Sequence, residues 1–434
     1  MNVVIVGAGP AGLAAAGQAL AAGAEVTVLD QADAPGGQYH RMPPAAYAPS
    51  RPPHGWAAFE RRRRVLDRCT WWPESTVWSI HNGQVHVLSG PADGAKRQRH
   101  TLEPDALILA TGAHDRTLPF PGWQLPGVFT AGAAQALAKG ERVAIGRRVL
   151  VAGAGPFLLP VAESLLHVGA KVVAVLEANP ATTVLGGWGV PVRKTGELAR
   201  YAAALARHRV PYRFGRTVVE ARGDDRLREV VTARLRADWS VVPGTERTHE
   251  VDAVCVGHGF VPQPELAVAA GCVLGDGFVR VDAGQRTSVP GVFAAGEITG
   301  IGGADAAEAE GAVAGCVAAG GTPSRELLRA RDRASAFARR LAKAHPIGGA
   351  WPGWLRADTI VCRCEETPYQ AVKAAAEDGP HALRLGTRAG LGPCQGRMCG
   401  PTVSELCGAT ERHHRPIAQP IRLGELADPK ETPA

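Results

Sequence analysis

The sequence predicts an α/β protein whose body is two doubly wound parallel sheets, followed by a small helical module at the C-terminus. Three observations lead there. The stretches MNVVIVGAGPAGLAAAGQALAAGAEVTVLDQ and RRVLVAGAGPFLLPVAESLLHVGAKVVAVLEA each read as strand, glycine turn, helix, strand. Two tight cysteine pairs, Cys362–Cys364 and Cys394–Cys399, follow a strongly basic amphipathic stretch. At 434 residues the chain is too long for one ordinary core, so more than one domain is expected.

In the first unit, Val3–Val6 is a continuous apolar run, as expected of a strand buried on both faces. Gly7, Gly9 and Gly12 supply G-x-G-x-x-G, with Pro10 and Ala11 opening the helix between them. The first glycine allows the turn, the second lets backbone approach a pyrophosphate, and the third lets helix pack on strand. The helix N-terminus offers unpaired N–H groups and a positive dipole end to phosphates. The strand EVTVL ends at Asp30, followed by Gln31, and an acid there accepts hydrogen bonds from ribose hydroxyls. The glycine pattern alone recurs by chance. The strand before it, the helix after it and the acid at the right distance make the unit dinucleotide-binding.

Composition removes several other classes. Apolar content of 45% with 21% charge is that of a soluble globular protein. The net charge of +7 is spread along the chain. Its one dense run, Arg61–Arg64, lacks interleaved aromatics and reads as a solvated helix face, so no nucleic-acid partner is expected. Nine cysteines are too few in so long a chain for a disulfide scaffold. The apolar N-terminus has no basic leader and is broken by glycines and Pro10, which reads as strand plus helix, with no stable membrane insertion. A cytoplasmic location with reduced thiols is expected.

Three further stretches specify the dinucleotide. APGGQ places Gly37 and Gln38 after the ribose acid; LILATGAHDR carries Ala110, Thr111 and Gly112; GVFAAGEITG ends in Gly296–Glu297. In this order they resemble the two-dinucleotide-binding-domain flavoproteins, the glutathione-reductase-like and thioredoxin-reductase-like family. The resemblance implies FAD, held at Gly7, Gly9, Pro10, Ala11, Gly12, Asp30, Gln31, Gly37, Gln38, Val77, Ala110, Thr111, Gly112, Gly296, Glu297 and Ala304. Glu297 stands where the family usually carries an aspartate on the FAD ribitol, and the helix after it would face the flavin with its N-terminal end. The implied FAD domain is discontinuous, residues 1–115 and 250–322, around a second nucleotide-binding-like domain at 116–249.

The second unit keeps Gly153, Gly155 and the acid Glu177, but Leu158 replaces the third glycine and Pro160 follows. Leucine there would push the helix away from the strand and change the loop. Family reductases bind NADH or NADPH at this place. Here a second nucleotide (ATP or NAD(P)) and a purely structural unit both stay open, and no arginine pair after Glu177 suits a 2′-phosphate. GGWGVPVRKTGELARY is expected to shape a loop nearby. Cys69, Cys255, Cys272, Cys316 and Cys407 form no C-x-x-C pair and read as small buried hydrophobes, against a thiol–disulfide mechanism. No catalytic residue is assigned; His40, His114 and His258 beside the motifs read as structural.

Residues 323–357 read as a helical linker, with the stripe of its basic helix packed on the body. Residues 358–410 read as the cysteine module and 411–434 as a tail. C-x-C followed by C-x4-C is poor zinc-knuckle spacing, whereas four thiolates suit a 2Fe–2S cluster. Arg363, Arg388 and Arg397 can offset its charge, and Gly392, Gly396 and Gly400 admit backbone N–H donors. TIVCRCEET and RAGLGPCQGRMCG resemble the bacterioferritin-associated-ferredoxin-like 2Fe–2S domain. Behind a two-dinucleotide flavoprotein, that domain resembles the α subunits of bacterial amine-oxidising dehydrogenases, the group with opine oxidase, D-hydroxyproline dehydrogenase and hydrogen cyanide synthase. The resemblance implies Cys362, Cys364, Cys394 and Cys399 as cluster ligands. It also implies an FAD-containing, D-amino-acid-oxidase-like catalytic β subunit, and leaves room for a small ferredoxin-like γ subunit and FMN at an interface. A self-contained NAD(P)H-dependent reductase and a non-enzymatic iron-handling protein are the competing expectations.

Overall fold

The computed structural model describes residues 1–44, 47, 56–94, 96–187, 192–408 and 417–427. Its first sheet is wholly parallel, in the order Val292–Ala294, Ala106–Leu109, Asn2–Val6, Glu25–Leu29, Thr70–Trp72. Asn2–Val6 lies at its centre, and Val3, Val4 and Ile5 have no exposed surface, as their unbroken apolar run requires. Helices Pro10–Ala21 and Ala304–Ala318 cover one face. The other is covered by the antiparallel strands Ser75–His81, Gln84–Ser89 and Gln98–Leu102, where Val77 and Ile80 meet Val4 and Leu109. The two helices cross on small residues. A Cβ on Gly311 would fall 2.0 Å from Ala11 O, and one on Gly315 2.0 Å from Ala15 O. A side chain at either glycine would force the helices apart at about 1–3 kcal/mol.

The second sheet repeats the plan: Tyr212–Phe214, Lys171–Glu177, Arg148–Gly153, Ala253–Gly257, Val128–Thr130, again all parallel. Helices Ala131–Ala136, Leu158–His167 and Val192–Arg207 line one side. The antiparallel strands Arg216–Arg222, Glu229–Arg234 and Arg247–Glu250 cover the other. Of GGWGVPVRKTGELARY, residues 188–191 lie outside the described residues. An antiparallel pair, Ala113–Asp115 with Phe260–Pro262, joins the two halves.

The basic stretch forms helix Arg325–Ala344, whose N-cap Ser324 accepts the Leu327 N–H at 3.2 Å. Leu327 and Leu328 pack on the first core, as the stripe predicts. Among the described residues no helix is long and apolar enough to cross a membrane. Arg62, within the Arg61–Arg64 run, pairs with Glu308 at 2.7 Å.

The C-terminal module is small and mostly helical. Ile360–Cys362 pairs with Thr367–Pro368, and helices Tyr369–Ala374, Gly379–Thr387 and Gly400–Leu406 follow. Its core is Val361, Cys362, Val372, Leu383, Ala389 and Cys399. The chain then returns to the first half: Ala418 N–H donates to Trp78 O at 2.8 Å, and Arg97 grips Glu425 at 2.7 Å. Residues 411–416 and 428–434 of the expected tail lie outside the described residues.

Candidate cofactor turns and cysteine module

The first glycine turn is closed by backbone contact. A Cβ on Gly12 would sit 1.7 Å from Gly7 O, and one on Gly7 2.3 Å from Ala110 O. No side chain fits at either place, so helix, first strand and the Ala106–Leu109 strand meet there without spacing. The helix begins at Pro10, and Leu13 N–H donates to Gly9 O at 3.0 Å, a full α turn from the start. Gly37 folds back on Gly9, since its Cβ would lie 3.0 Å from Gly9 Cα. Asp30 accepts N–H bonds from Ala8 at 2.6 Å and Ala32 at 2.8 Å. Burial raises its carboxyl above the usual value, and those two donors oppose the rise.

The Gly296–Glu297 segment forms the turn just after Val292–Ala294, the edge strand of the same sheet. Glu297 accepts the Gly303 N–H at 3.1 Å, just before helix Ala304–Ala318, and burial raises its carboxyl. Glu310, which sequence reasoning missed, accepts the Gly296 N–H at 2.9 Å and the Thr299 hydroxyl at 2.7 Å. A glutamate amid the alanines and glycines of a buried helix was the available signal. Thr111 donates to Gln263 O at 2.7 Å, and Gln263 N–H returns a bond to Gly112 O at 3.0 Å. Gln31 and Gln38 are exposed on the loops beside the acid and the glycine pair, and Val77 faces the core.

The second turn departs from the first where Leu158 predicts. Its helix begins at Leu158, five residues past Gly153 (158 − 153), against three for Pro10 past Gly7 (10 − 7). Before it, Leu158 N–H reaches Gly155 O at 3.3 Å and Leu159 N–H reaches Pro156 O at 3.1 Å, so the opening turn is i→i+3. A Cβ on Gly153 would lie 1.8 Å from Gly257 O. Glu177 has no exposed surface and is filled by the protein itself. Its oxygens take N–H bonds from Gly155 at 2.9 Å and Asn179 at 3.0 Å, the Asn179 amide at 2.9 Å, and His345 Nδ1 at 3.1 Å. Trp239 donates to Asn179 Oδ1 at 3.2 Å and stacks on Trp354 at 5.9 Å; with Trp351 they bury Ala154 of the turn. His258, beside this cage, is 1% exposed, and neither ring nitrogen has a partner among the described residues. Burial, then Arg116, lowers its pKa to about 3.

In the module the thiols meet as two pairs, Cys362 with Cys399 and Cys364 with Cys394. The bond from Cys399, with N–H donors Gly390, Glu365 and Cys364, holds Cys362 down at about 5. A Cβ on Gly392 would lie 2.3 Å from Cys364 Cβ, so the loop closes on the first pair through a glycine. Among the described residues no group of three or more His, Cys, Asp or Glu side chains closes on one ion position. All nine cysteines are free; Cys255 and Cys272 are buried as expected, whereas Cys69, Cys316 and Cys407 are only half-buried. Arg388 pairs with Glu365 at 2.6 Å, and Arg363 lies 5.1 Å from the Trp123 ring centre.

The module docks beside the strand that leaves Ala110–Gly112. His114 Nε2 bonds Arg397 O at 2.9 Å, Thr117 donates to Met398 O at 3.0 Å, and Thr402 donates to Thr117 O at 2.7 Å. His114 therefore joins two parts of the chain, and His40 stacks on Phe59 at 4.7 Å beside Gly36.

Residues 1–311 match the family model described as pyridine nucleotide-disulphide oxidoreductase. An opine oxidase subunit from Rhizobium meliloti is 32% identical across 98% of this chain and 87% of its own length. Hydrogen cyanide synthase subunit HcnB of Pseudomonas aeruginosa is 34% identical across 95% of this chain and 94% of its own. In fold, L-proline dehydrogenase from P. horikoshii covers 99% of this chain and 79% of its own, with TM-score 0.65 at 18% identity. With the parallel sheets and glycine turns above, these matches place the chain in the pyridine nucleotide-disulphide oxidoreductase family, as an FAD-dependent oxidoreductase.

Proposed function

We propose that the chain is the electron-transfer α subunit of a heteromeric amino- or imino-acid dehydrogenase of opine, hydroxyproline or proline type. In this reading it works in the cytoplasm and receives electrons from an FAD-containing catalytic β subunit. The observation that carries it is the contrast between two sites. The acid of the second turn is saturated by Gly155, Asn179 and the chain's own His345, which leaves no acceptor for a nicotinamide nucleotide's ribose. The cysteine module instead sits against the strand continuing from Thr111–Gly112. The family and the subunit names of the relatives support a partner-fed flavoprotein.

The first turn fits FAD. Gly7, Gly9 and Gly12 would bring backbone to the phosphates of a bound FAD, with Pro10 and Ala11 starting the helix, and Asp30 with Gln31 would take its ribose. Gly37, Gln38, Val77, Ala110, Thr111, Gly112, Gly296, Glu297 and Ala304 complete the set. Cys362, Cys364, Cys394 and Cys399 would hold a 2Fe–2S centre, as two thiol pairs, Cys362 with Cys399 and Cys364 with Cys394, with the Gly390, Glu365 and Cys364 N–H groups directed at Cys362. Bound there, flavin and iron centre let two-electron oxidation of a substrate be passed on one electron at a time. The protein's own residues hold, orient and shield, and no side chain acts as base on the amino acid.

A second reading, an NAD(P)H-dependent reductase, is favoured by the open space before Gly155 and by the two nitrogens of His258, unpartnered among the described residues. Co-expression with a neighbouring amino-acid-oxidase-like flavoprotein tests the first reading. A stable complex that oxidises an opine, proline or hydroxyproline is expected; a chain that binds no such partner and bears zinc without iron refutes it.

A further inference from the structure

Arg397 stands between Cys394 and Cys399, and both its carbonyl and its guanidinium are engaged. The carbonyl meets His114 Nε2 at 2.9 Å, and the guanidinium pairs with Glu265 at 3.0 Å. The same guanidinium donates to Cys394 O at 3.2 Å and to the carbonyl of Ala418, itself hung on Trp78 O. Arg397 and Glu265 are both partly buried, at 16% and 11% side-chain exposure, so water screens this pair less than it would an exposed one.

Both tethers lead to the same place. His114 lies two residues beyond Gly112 on the strand paired with Phe260–Pro262. Glu265 lies two residues beyond Gln263, which is bonded to Thr111 and Gly112 through three hydrogen bonds at 2.7, 3.0 and 3.2 Å. The cysteine loop is thus tied to the Thr111–Gly112 turn by two separate routes, one through the Ala113–Asp115 strand and one through the Gln263–Glu265 segment that follows its partner strand. The Glu265 contact is a partly buried ion pair, and the loop's fixed hydrogen bonds are those of the Arg397 carbonyl to His114 and of its guanidinium to the Cys394 and Ala418 carbonyls.

We propose that Arg397, held by Glu265 and His114, is the positioning residue that fixes the Cys394–Cys399 loop against the flavin-side strand. The inference rests on the reading that this loop holds the iron centre and that the first turn holds FAD. In this role Arg397 and His114 neither gain nor lose an electron or proton. They set the separation across which a single electron leaves the reduced flavin, oxidising it by one electron, and reduces the iron pair by one.

The test uses the holoprotein with Glu265→Gln, His114→Ala and His114→Gln. Flavin and iron per chain are counted first. The flavin is then photoreduced without oxygen, and the rate at which the iron centre is reduced and its electron paramagnetic resonance line shape are recorded. Glu265→Gln and His114→Ala are expected to keep both cofactors, slow the exchange about 10-fold, the effect typical of lost outer-shell partners, and alter the line shape. His114→Gln keeps a donor for the Arg397 carbonyl and is expected to restore both. Unchanged rate and line shape in fully loaded variants overturns the inference while leaving the proposed function standing. Wild-type protein with flavin but no iron overturns the proposed function instead, and the inference with it.

Discussion

The two glycine turns began from the same plan and ended with different occupants in prospect. In the first, Gly12 lets the helix start at once and touch the Gly7 carbonyl, and Asp30 takes two backbone N–H groups while staying partly open. In the second, Leu158 delays the helix, and the linker behind Arg325–Ala344 delivers His345 to a fully buried Glu177. The same strand–turn–helix plan thus surrounds its acid differently in the two halves, with open backbone donors at Asp30 and side-chain donors from a distant segment at Glu177.

Exchanging the third positions probes that difference most sharply. Gly12→Leu drives a side chain into a carbonyl 1.7 Å from its Cβ, so we expect about 3 kcal/mol or more of destabilisation and loss of bound flavin. Flavin per chain and the melting temperature read the result. The reciprocal Leu158→Gly leaves a cavity where a 1% exposed leucine stood and should cost about 2–5 kcal/mol, with flavin retained. Retained flavin in Gly12→Leu would erase the distinction between the turns.

The linker contact comes next. His345→Ala removes one of the donors on buried Glu177 and is expected to cost about 1–3 kcal/mol without changing flavin content. If the contact is what closes the site, this variant gains binding of ADP, measured by calorimetry on the holoprotein; unchanged stability would show that His345 seals nothing.

Much of this was legible in the sequence, and the reasons are local. Val3–Val6 and EVTVL form strands because their apolar runs suit a sheet buried on both faces, and the glycines mark where backbone meets backbone. Leu158 announced a disturbed second turn, and the i→i+3 opening is its form. What was hidden depends on distant partners. Nothing near Glu177 in sequence foretells His345, Trp351 or Trp354, which arrive from the linker, nor does Arg397 foretell Glu265. Hydrophobic periodicity reports which face is buried, not which distant segment buries it.

A further expected effect is a pH slope. His258 beside the second turn and His40 beside the first are held neutral by burial, with pKa values lowered from 6.5 to about 3 and about 4. The unfolded chain takes up these protons first, so the folded state loses stability as pH falls from 6.5 through each lowered value. In melting curves across that range, His258→Phe should show a shallower decline than wild type; an identical slope would mean the buried ring does not resist protonation.

The most direct measurement is an anaerobic titration of the purified holoprotein with NADH, followed by absorbance of the flavin. With the second turn sealed, NADH leaves the flavin oxidised, and bleaching follows only when the catalytic partner and its amino-acid substrate are added. Rapid bleaching by NADH alone would contradict the account, since it would require a nicotinamide site where Glu177 is already taken.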